Sequence, residues 1–583
     1  MSGFPAMSIA QAHALLTRPD SPFEVETREV HGATIKVWKN APATLKDIFA
    51  ASALYAPREF LIYEDERITY GAMRAAVAAL AARLTADGVG KGDRIAIIMR
   101  NLPEWVVAFW AGALIGAIVT PLNAWWTGPE LEYGLKDSGS RIAICDVERW
   151  ERVREHADAC EDLQKIYVAR SAEEIADPRV ARLETVIGCP RDWAKLETRP
   201  PPDVALEPDD DVTIFYTSGT TGKPKGAIVT HRNIISNMLN AACSAARAFL
   251  RRGEQPPTPD PNGPQMVTLL SVPLFHATGA FAALVPSVAL GSKIVFQRRW
   301  DVDAALPLME KERVTGCGGV PTIAWQIVEH PRLKEFDLSA LDSIGYGGAP
   351  SAPELVRRIA ETFPKVVPRQ GWGMTETSAT AVSNLAEDYL AKPDSCGHPP
   401  PTADVKIMSP DASARELPVG EVGELWYRGP VVVRGYWRNA QATSETFVDG
   451  WVKTGDLAKV DAEGFLYIVD RAKDMLIRGG ENIYCVEVEN ALYEHPEVMD
   501  AALIGLPHKT LGEEPAAVVH LKPGADVSEA DLRHWVAQRL AAFKVPVRVA
   551  FWPETLPRNP QGKILKRDLK AAFPDVFGAS ASA

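Results

Sequence analysis

VTIFYTSGTTGKPKGAIV, residues 212–229, passes from an apolar run through a polar loop and back into an apolar run. Its middle, 216–226, holds three glycines, four Thr or Ser hydroxyls and two lysines in eleven positions. Small residues beside glycine leave backbone N–H groups open, and two ammonium groups add positive charge, a composition suited to phosphate oxygens. The flanks VTIFY (212–216) and AIV (227–229) read as buried strands running into and out of the loop. A Walker A loop needs Gly five positions before Gly222 and a helix opening straight after the lysine. Thr217 stands at that position instead, and Pro224 pushes Lys223 away from helical backbone. The expectation is a phosphate-gripping hairpin. A flexible Gly/Ser linker is disfavoured because strands bound the loop on both sides.

The same alternation extends in both directions from the loop. On the N-terminal side come RIAIIM (94–99), an apolar helix over 105–115, AIVTP (117–121) and RIAICD (141–146). On the C-terminal side come MVTLLSVP (266–273), SKIVF (292–296), VTGCGGVP (314–321) and LDSIGYGGA (341–349). Strands alternating with helices imply largely parallel sheets covered by helices. The Pro-rich polar stretches 197–211 and 251–265 read as surface loops. Beyond residue 400, VKIM, GELWYRG, VVVRGY and GFLYIVDR read as short strands of a small antiparallel unit. The final stretch, from AALIGLPH to the helical KRDLKAAF, reads as a compact α+β module. The fold class expected is α/β, with a large N-terminal multi-subdomain α/β domain over 1–470 and a small C-terminal α+β domain over 471–583.

At 583 residues the chain is too long for one core. Its net charge of −12 argues against a nucleic-acid binder or a protein held on anionic lipid by basic patches. Seven cysteines without a C-x-x-C pair read as reduced thiols rather than a disulfide frame or zinc site. The first residues, MSGFPAMSIAQAHALL, lack a basic start followed by a sustained apolar core, so a cytoplasmic location is expected. WVVAFWAGALIGAIVTPLN (105–123) approaches membrane-spanning length. With Asn101, Glu104 and Asn123 at its ends it reads instead as a buried helix followed by a strand, and no integral membrane span is expected.

The remaining motifs are weak singly and strong in order. After the loop come PLFHATG (273–279), GYGGAP (345–350), GWGMTET (371–377), TGD (454–456), DRAKDMLIRGGENIY (470–484) and PRNPQGKILKRDL (557–569). In this order the chain resembles the adenylate-forming superfamily of AMP-forming acyl-CoA synthetases, peptide-synthetase adenylation domains and firefly luciferase. The resemblance runs over nearly the whole length and is weakest at residues 1–45 and 251–265. It implies a two-step reaction: a carboxylate and ATP give acyl-AMP and pyrophosphate, and a thiol then takes the acyl group. Two anions must meet, so the site needs positive charge and a metal.

The resemblance implies roles residue by residue. Thr217, Ser218, Gly219, Thr220, Thr221, Gly222 and Lys225 would grip the β- and γ-phosphates. Glu376 resembles the Mg2+-associated carboxylate and Thr375 a donor to the α-phosphate, although Met-Thr-Glu-Thr alone is also a plain helix start. Trp372 would stack on adenine beside Gly373, with Gly348, Ala349 and Pro350 on the other side, although a single Trp is more often core. Asp456 would accept from the ribose hydroxyls, with Arg471 a further ribose or phosphate contact; alone, Asp456 is a turn residue beside glycine. Lys473 would be the hinge about which a mobile C-terminal domain swings, and Lys563 the catalytic lysine of adenylation, although locally each is an ordinary solvated Lys. Gly479 and Gly480 resemble the loop that admits pantetheine, although a Gly pair is also an ordinary turn. His276 would shield the carboxylate pocket or gate the path of the thiol, the pocket role being favoured.

Substrate choice rests on Thr278, Ala282, Gly371, Gly373, Ala379 and Thr380, which match acyl-pocket positions of the coumarate-ligase branch. Small walls leave room for a bulky or extended apolar acid, and no basic residue among them would hold a second carboxylate. Fatty acids of medium or long chain, aryl-alkanoic acids and steroid side-chain acids stay open. No GG-[DH]-S carrier segment follows residue 563, so CoA is the expected acceptor. Delivery to a separate carrier protein and an oxidative second step are the alternatives. The expected small molecules are thus a carboxylic acid, ATP with Mg2+, and CoA, and a homodimer is compatible with the resemblance.

Overall fold

The computed structural model describes residues 4–217, 223–258, 260–348, 351–409, 415–479, 481–559 and 563–577, the stretch 574–577 as backbone only. Among the described residues the strands form a two-stranded hairpin and four larger sheets. In the first of these, Arg94–Ile98 pairs in parallel with Ile118–Pro121 on one side and Ile142–Asp146 on the other. Asp211–Tyr216 continues the sheet beside Ile118–Pro121 and returns as the antiparallel strand Gly226–Thr230. The two strands that bound the loop therefore end the sheet, with Gly226–Thr230 as its last strand.

The second sheet carries the parallel strands Val267–Leu270, Lys293–Phe296, Gly316–Gly319, Ser343–Gly347 and Val367–Trp372. Glu59–Tyr63 joins it beside Lys293–Phe296. Between the two sheets lies helix Pro103–Leu114, buried at every position. Its Trp105, Phe109 and Trp110 share one core with Phe60 and Leu61 of the second sheet and Ile95 and Ile97 of the first. This burial accounts for the uncharged run, because a helix between two sheets has no solvent face to mark with polar residues. No helix among the described residues is long and apolar enough to cross a membrane. All seven cysteines are free thiols.

The third sheet is antiparallel, built from Asp404–Met408, Gly423–Arg428, Trp451–Val460 and Leu466–Arg471. The expected strand VVVRGY (431–436) does not form. Its backbone is taken by distant partners: Val433 N–H donates to the Glu376 carbonyl, and the Gly435 carbonyl accepts from Ile228 N–H. The Asn233 amide donates to the carbonyls of Pro430 and Val432. Buried Val431 and Val433 satisfy the apolar pattern as pegs rather than as a ladder.

The fourth sheet begins at Leu476, with Val498–His508 and Gly512–Leu521 as its long antiparallel pair and Arg548–Phe551 added in parallel. Helices Cys485–Tyr493, Glu529–Ala537 and Lys566–Phe577 belong to this smaller body. Residues 472–475 connect it to the third sheet.

Candidate active site

The hairpin closes at its base, where Thr217 N–H donates to the Lys225 carbonyl at 2.8 Å. Ser218, Gly219, Thr220, Thr221 and Gly222 lie outside the described residues. The Lys225 ammonium sits 4.9 Å over the Tyr436 ring. The Tyr436 hydroxyl donates to Glu376 Oε1 at 2.6 Å. The expected phosphate lysine and the expected metal carboxylate are thus bridged by one phenol. Sequence reading missed Tyr436 because it treated 431–436 as a plain strand.

Glu376 stands in the short turn Thr375–Thr377 and is only 7% exposed. Burial raises its pKa, opposed by the Tyr436 hydroxyl and by the charges of Lys225 and Arg471. Thr375 is half-buried in the same turn. Among the described residues no group of three or more acidic, His or Cys side chains is arranged to hold a metal. One buried carboxylate nevertheless fits Mg2+, which is usually held by one or two carboxylates plus substrate phosphates.

Trp372 ends its strand, buried, with its indole N–H donating to Asp456 Oδ2 at 2.8 Å. Asp456 faces Arg471 across the antiparallel pair of the third sheet, with Arg471 Nε 3.4 Å from Oδ1. Burial raises the Asp456 pKa, countered first by Arg471 and then by the indole N–H. Trp372 therefore fixes one carboxylate oxygen of Asp456. Gly348, Gly371, Trp372, Gly373, Asp456, Arg471 and Lys563 all line one cavity of about 690 Å³ between the two bodies. Gly348 has φ +75°, and a Cβ there would meet open space. Ala349 and Pro350 lie outside the described residues. Gly373 packs on backbone, since a Cβ there would come within 1.7 Å of the Ala379 carbonyl.

Lys563 is tied to Asn559, whose N–H donates to its carbonyl at 2.8 Å. Its own N–H donates to Asn559 Oδ1 at 2.9 Å. The ammonium stands 3.9 Å from Asp474. Burial, then Arg471 and, more weakly, Lys473 lower its pKa to about 8 against the pull of Asp474 and Asp456. Lys473 is exposed on the connector. Gly479 begins the tight turn between Leu476–Arg478 and Glu481–Ile483 at φ +59°, a conformation glycine adopts without strain. It is not on the cavity wall, and Gly480 lies outside the described residues.

The proposed acyl-pocket positions are only partly joined. A Cβ on Gly371 would lie 3.1 Å from Thr380 Cγ2, so these two are neighbours. Ala379 is buried at φ +84° in the turn that follows Glu376. Thr278 and Ala282 lie exposed on the π-helical stretch Thr278–Leu284, outside the cavity wall, while Phe281 packs on Phe215. Burial pushes His276 down to about 3, so its imidazole is neutral at ordinary pH.

The chain matches the AMP-binding enzyme family over residues 49–437 and the AMP-binding enzyme C-terminal domain over residues 487–563. It is 37% identical over 507 residues to a feruloyl-CoA synthase from Amycolatopsis sp, spanning 87% of this chain and 94% of that protein. A long-chain-fatty-acid–CoA ligase from Bacillus subtilis (strain 168) is 32% identical over 547 residues, spanning 90% of this chain and 94% of that protein. Among solved structures, ATP-bound MatB from Rhodopseudomonas palustris is similar with a TM-score of 0.76 at 30% identity, covering 91% of this chain and 100% of that one.

Proposed function

Because this chain belongs to the AMP-binding enzyme family and carries that family's C-terminal domain, we propose that it is an AMP-forming acid–CoA ligase acting on a hydrophobic carboxylic acid. The acid is a medium- or long-chain fatty acid, an aryl-alkanoic acid or a steroid side-chain acid. The observation that carries the reading is the meeting of Trp372, Asp456, Arg471 and Lys563 on one cavity, beside the Lys225–Tyr436–Glu376 chain. The feruloyl-CoA synthase and fatty-acid ligase relatives support a CoA acceptor and a hydrophobic acid.

In this reading Asp456, fixed by the Trp372 indole, accepts from the ribose hydroxyls. Lys225 and the hairpin hold the β- and γ-phosphates. Glu376, with phosphate oxygens, would hold the Mg2+ that neutralises charge on the departing pyrophosphate. Lys563 places its ammonium between the acid carboxylate and the α-phosphate, so two anions approach without net repulsion. The acid oxygen attacks the α-phosphorus, pyrophosphate leaves, and residues 471–583 then turn about Lys473 relative to 1–470. That turn withdraws Lys563 and brings the Gly479–Gly480 loop to the path of the thiol. CoA sulfur attacks the acyl carbon and AMP leaves. The free thiols suit the cytoplasmic setting proposed with this activity.

The test is a panel of ferulic, phenylpropanoic, dodecanoic, hexadecanoic and cholanoic acids with ATP, Mg2+ and CoA. AMP, pyrophosphate and a CoA thioester are expected with at least one acid. Acyl-AMP formation followed by transfer only to a holo carrier protein would overturn the choice of acceptor. Pocket volume is tested separately with Gly371→Ala, which presses on Thr380. It is expected to shift preference toward shorter or slimmer acids, by about 1–3 kcal/mol in discrimination. Unchanged ratios of kcat/KM across the panel would remove Gly371 from the pocket.

A further inference from the structure

Groups from both sides of the connector meet at one carboxylate. Asp470 pairs with Leu457 in the third sheet, so its backbone belongs to the larger body. Its side chain, only 3% exposed, reaches across: Oδ2 accepts the N–H of Cys485 at 2.5 Å. Cys485 is the first residue of helix Cys485–Tyr493, which packs in the smaller body. The ammonium of Lys566 binds Glu489 Oε1 at 2.7 Å, and its charge favours the ionised form of Asp470 against burial. That Glu489 oxygen is held in turn by Leu503 N–H at 2.8 Å. Lys566 opens the final helix three positions after Lys563, and Asp470, Glu489 and Lys566 line the same cavity as Lys563.

A buried carboxylate is costly without partners, and here the smaller body supplies both the Cys485 N–H and the Lys566 charge. Rotation about Lys473 would carry both away while Asp470 stays with its strand. We infer that Asp470 is a positioning residue that, through Cys485 N–H and the Lys566–Glu489 pair, holds the small domain in the orientation presenting Lys563 for adenylation. The inference rests on the proposed two-orientation reaction. It assigns the contact to the first half-reaction alone, since the second requires that contact to open.

The experiment compares two half-reactions, using whichever of ferulic, phenylpropanoic and dodecanoic acids the wild-type enzyme adenylates fastest. Acid-dependent ATP–pyrophosphate exchange reads the first; conversion of supplied acyl-AMP and CoA to thioester reads the second. Asp470→Ala and Lys566→Met are expected to lower exchange about 10- to 100-fold, as when a charge-assisted contact is lost. Thioester formation is expected to stay within about twofold or rise, and Lys566→Arg to keep most of the exchange. Thermal melting reports folding, and the isosteric Asp470→Asn decides the matter where Asp470→Ala does not fold. Equal loss of both half-reactions assigns a merely structural role, and unchanged exchange removes the contact from the mechanism; either overturns the inference. Absence of exchange in the wild-type enzyme with every acid would instead overturn the ligase reading beneath it.

Discussion

Lys563→Ala is expected to lower acyl-AMP formation by about 100- to 1000-fold while leaving conversion of supplied acyl-AMP and CoA to thioester nearly intact. The Lys563 backbone is tied to Asn559 and its ammonium lines the cavity 3.9 Å from Asp474, so truncation removes charge without opening a core. Its effect falls on the transition state, where carboxylate and phosphate oxygens converge. Equal loss of both half-reactions in a folded variant would sink the alternating-orientation reading. The complementary change, Gly480→Leu, is expected to accumulate acyl-AMP and stall at transfer.

A pH dependence follows from the same residue. With its pKa lowered to about 8, Lys563 is charged below that pH and neutral above it. Adenylation needs the charged form, so kcat/KM for ATP in the first half-reaction is expected to fall on the alkaline side of about pH 8. Bound phosphates favour the ammonium and move the limb of kcat to higher pH. A flat kcat/KM profile between about pH 7 and 9, one order of magnitude in proton concentration on either side of the group, would exclude Lys563 as the titrating cation.

Glu376→Gln is expected to reduce adenylation by about 100- to 1000-fold and to raise the Mg2+ concentration needed for half-maximal exchange. Gln keeps an oxygen to accept from the Tyr436 hydroxyl, so the local turn is retained and the charge alone is lost. Tyr436→Phe leaves the charge and removes the bridge, and about a 3- to 10-fold loss is expected from one hydrogen bond. Exchange by Glu376→Gln within about threefold of wild type, at unchanged Mg2+ requirement, would remove this carboxylate from the metal's surroundings.

The strand pair around the 217–225 loop was legible because its signal is local: apolar strands of matching length, separated by glycines and by Pro224. Helix 105–115 was legible for the opposite reason, since a segment apolar on all sides must be enclosed on all sides. The pairing of Asp456 with Arg471 was not read from the sequence, which named them only as separate contacts, although the two are close in the chain and meet through one antiparallel turn of the third sheet. By contrast, VVVRGY looked like a strand because β-branched residues suit strands, yet the backbone partners that set its path come from Glu376, Ile228 and Asn233.

Thus the sequence by itself determined the α/β class, the strands that bound the 217–225 loop and the order of the motifs, all of which depend on neighbours along the chain. Tertiary structure alone decided that Tyr436 bridges Lys225 to Glu376, that Trp372 fixes Asp456, and that Asp470 reaches Cys485 across the connector. Each joins residues from different strands, turns or helices at hydrogen-bond or ring-contact range. A few ångströms of sheet packing decide such contacts, and residue spacing carries no record of them.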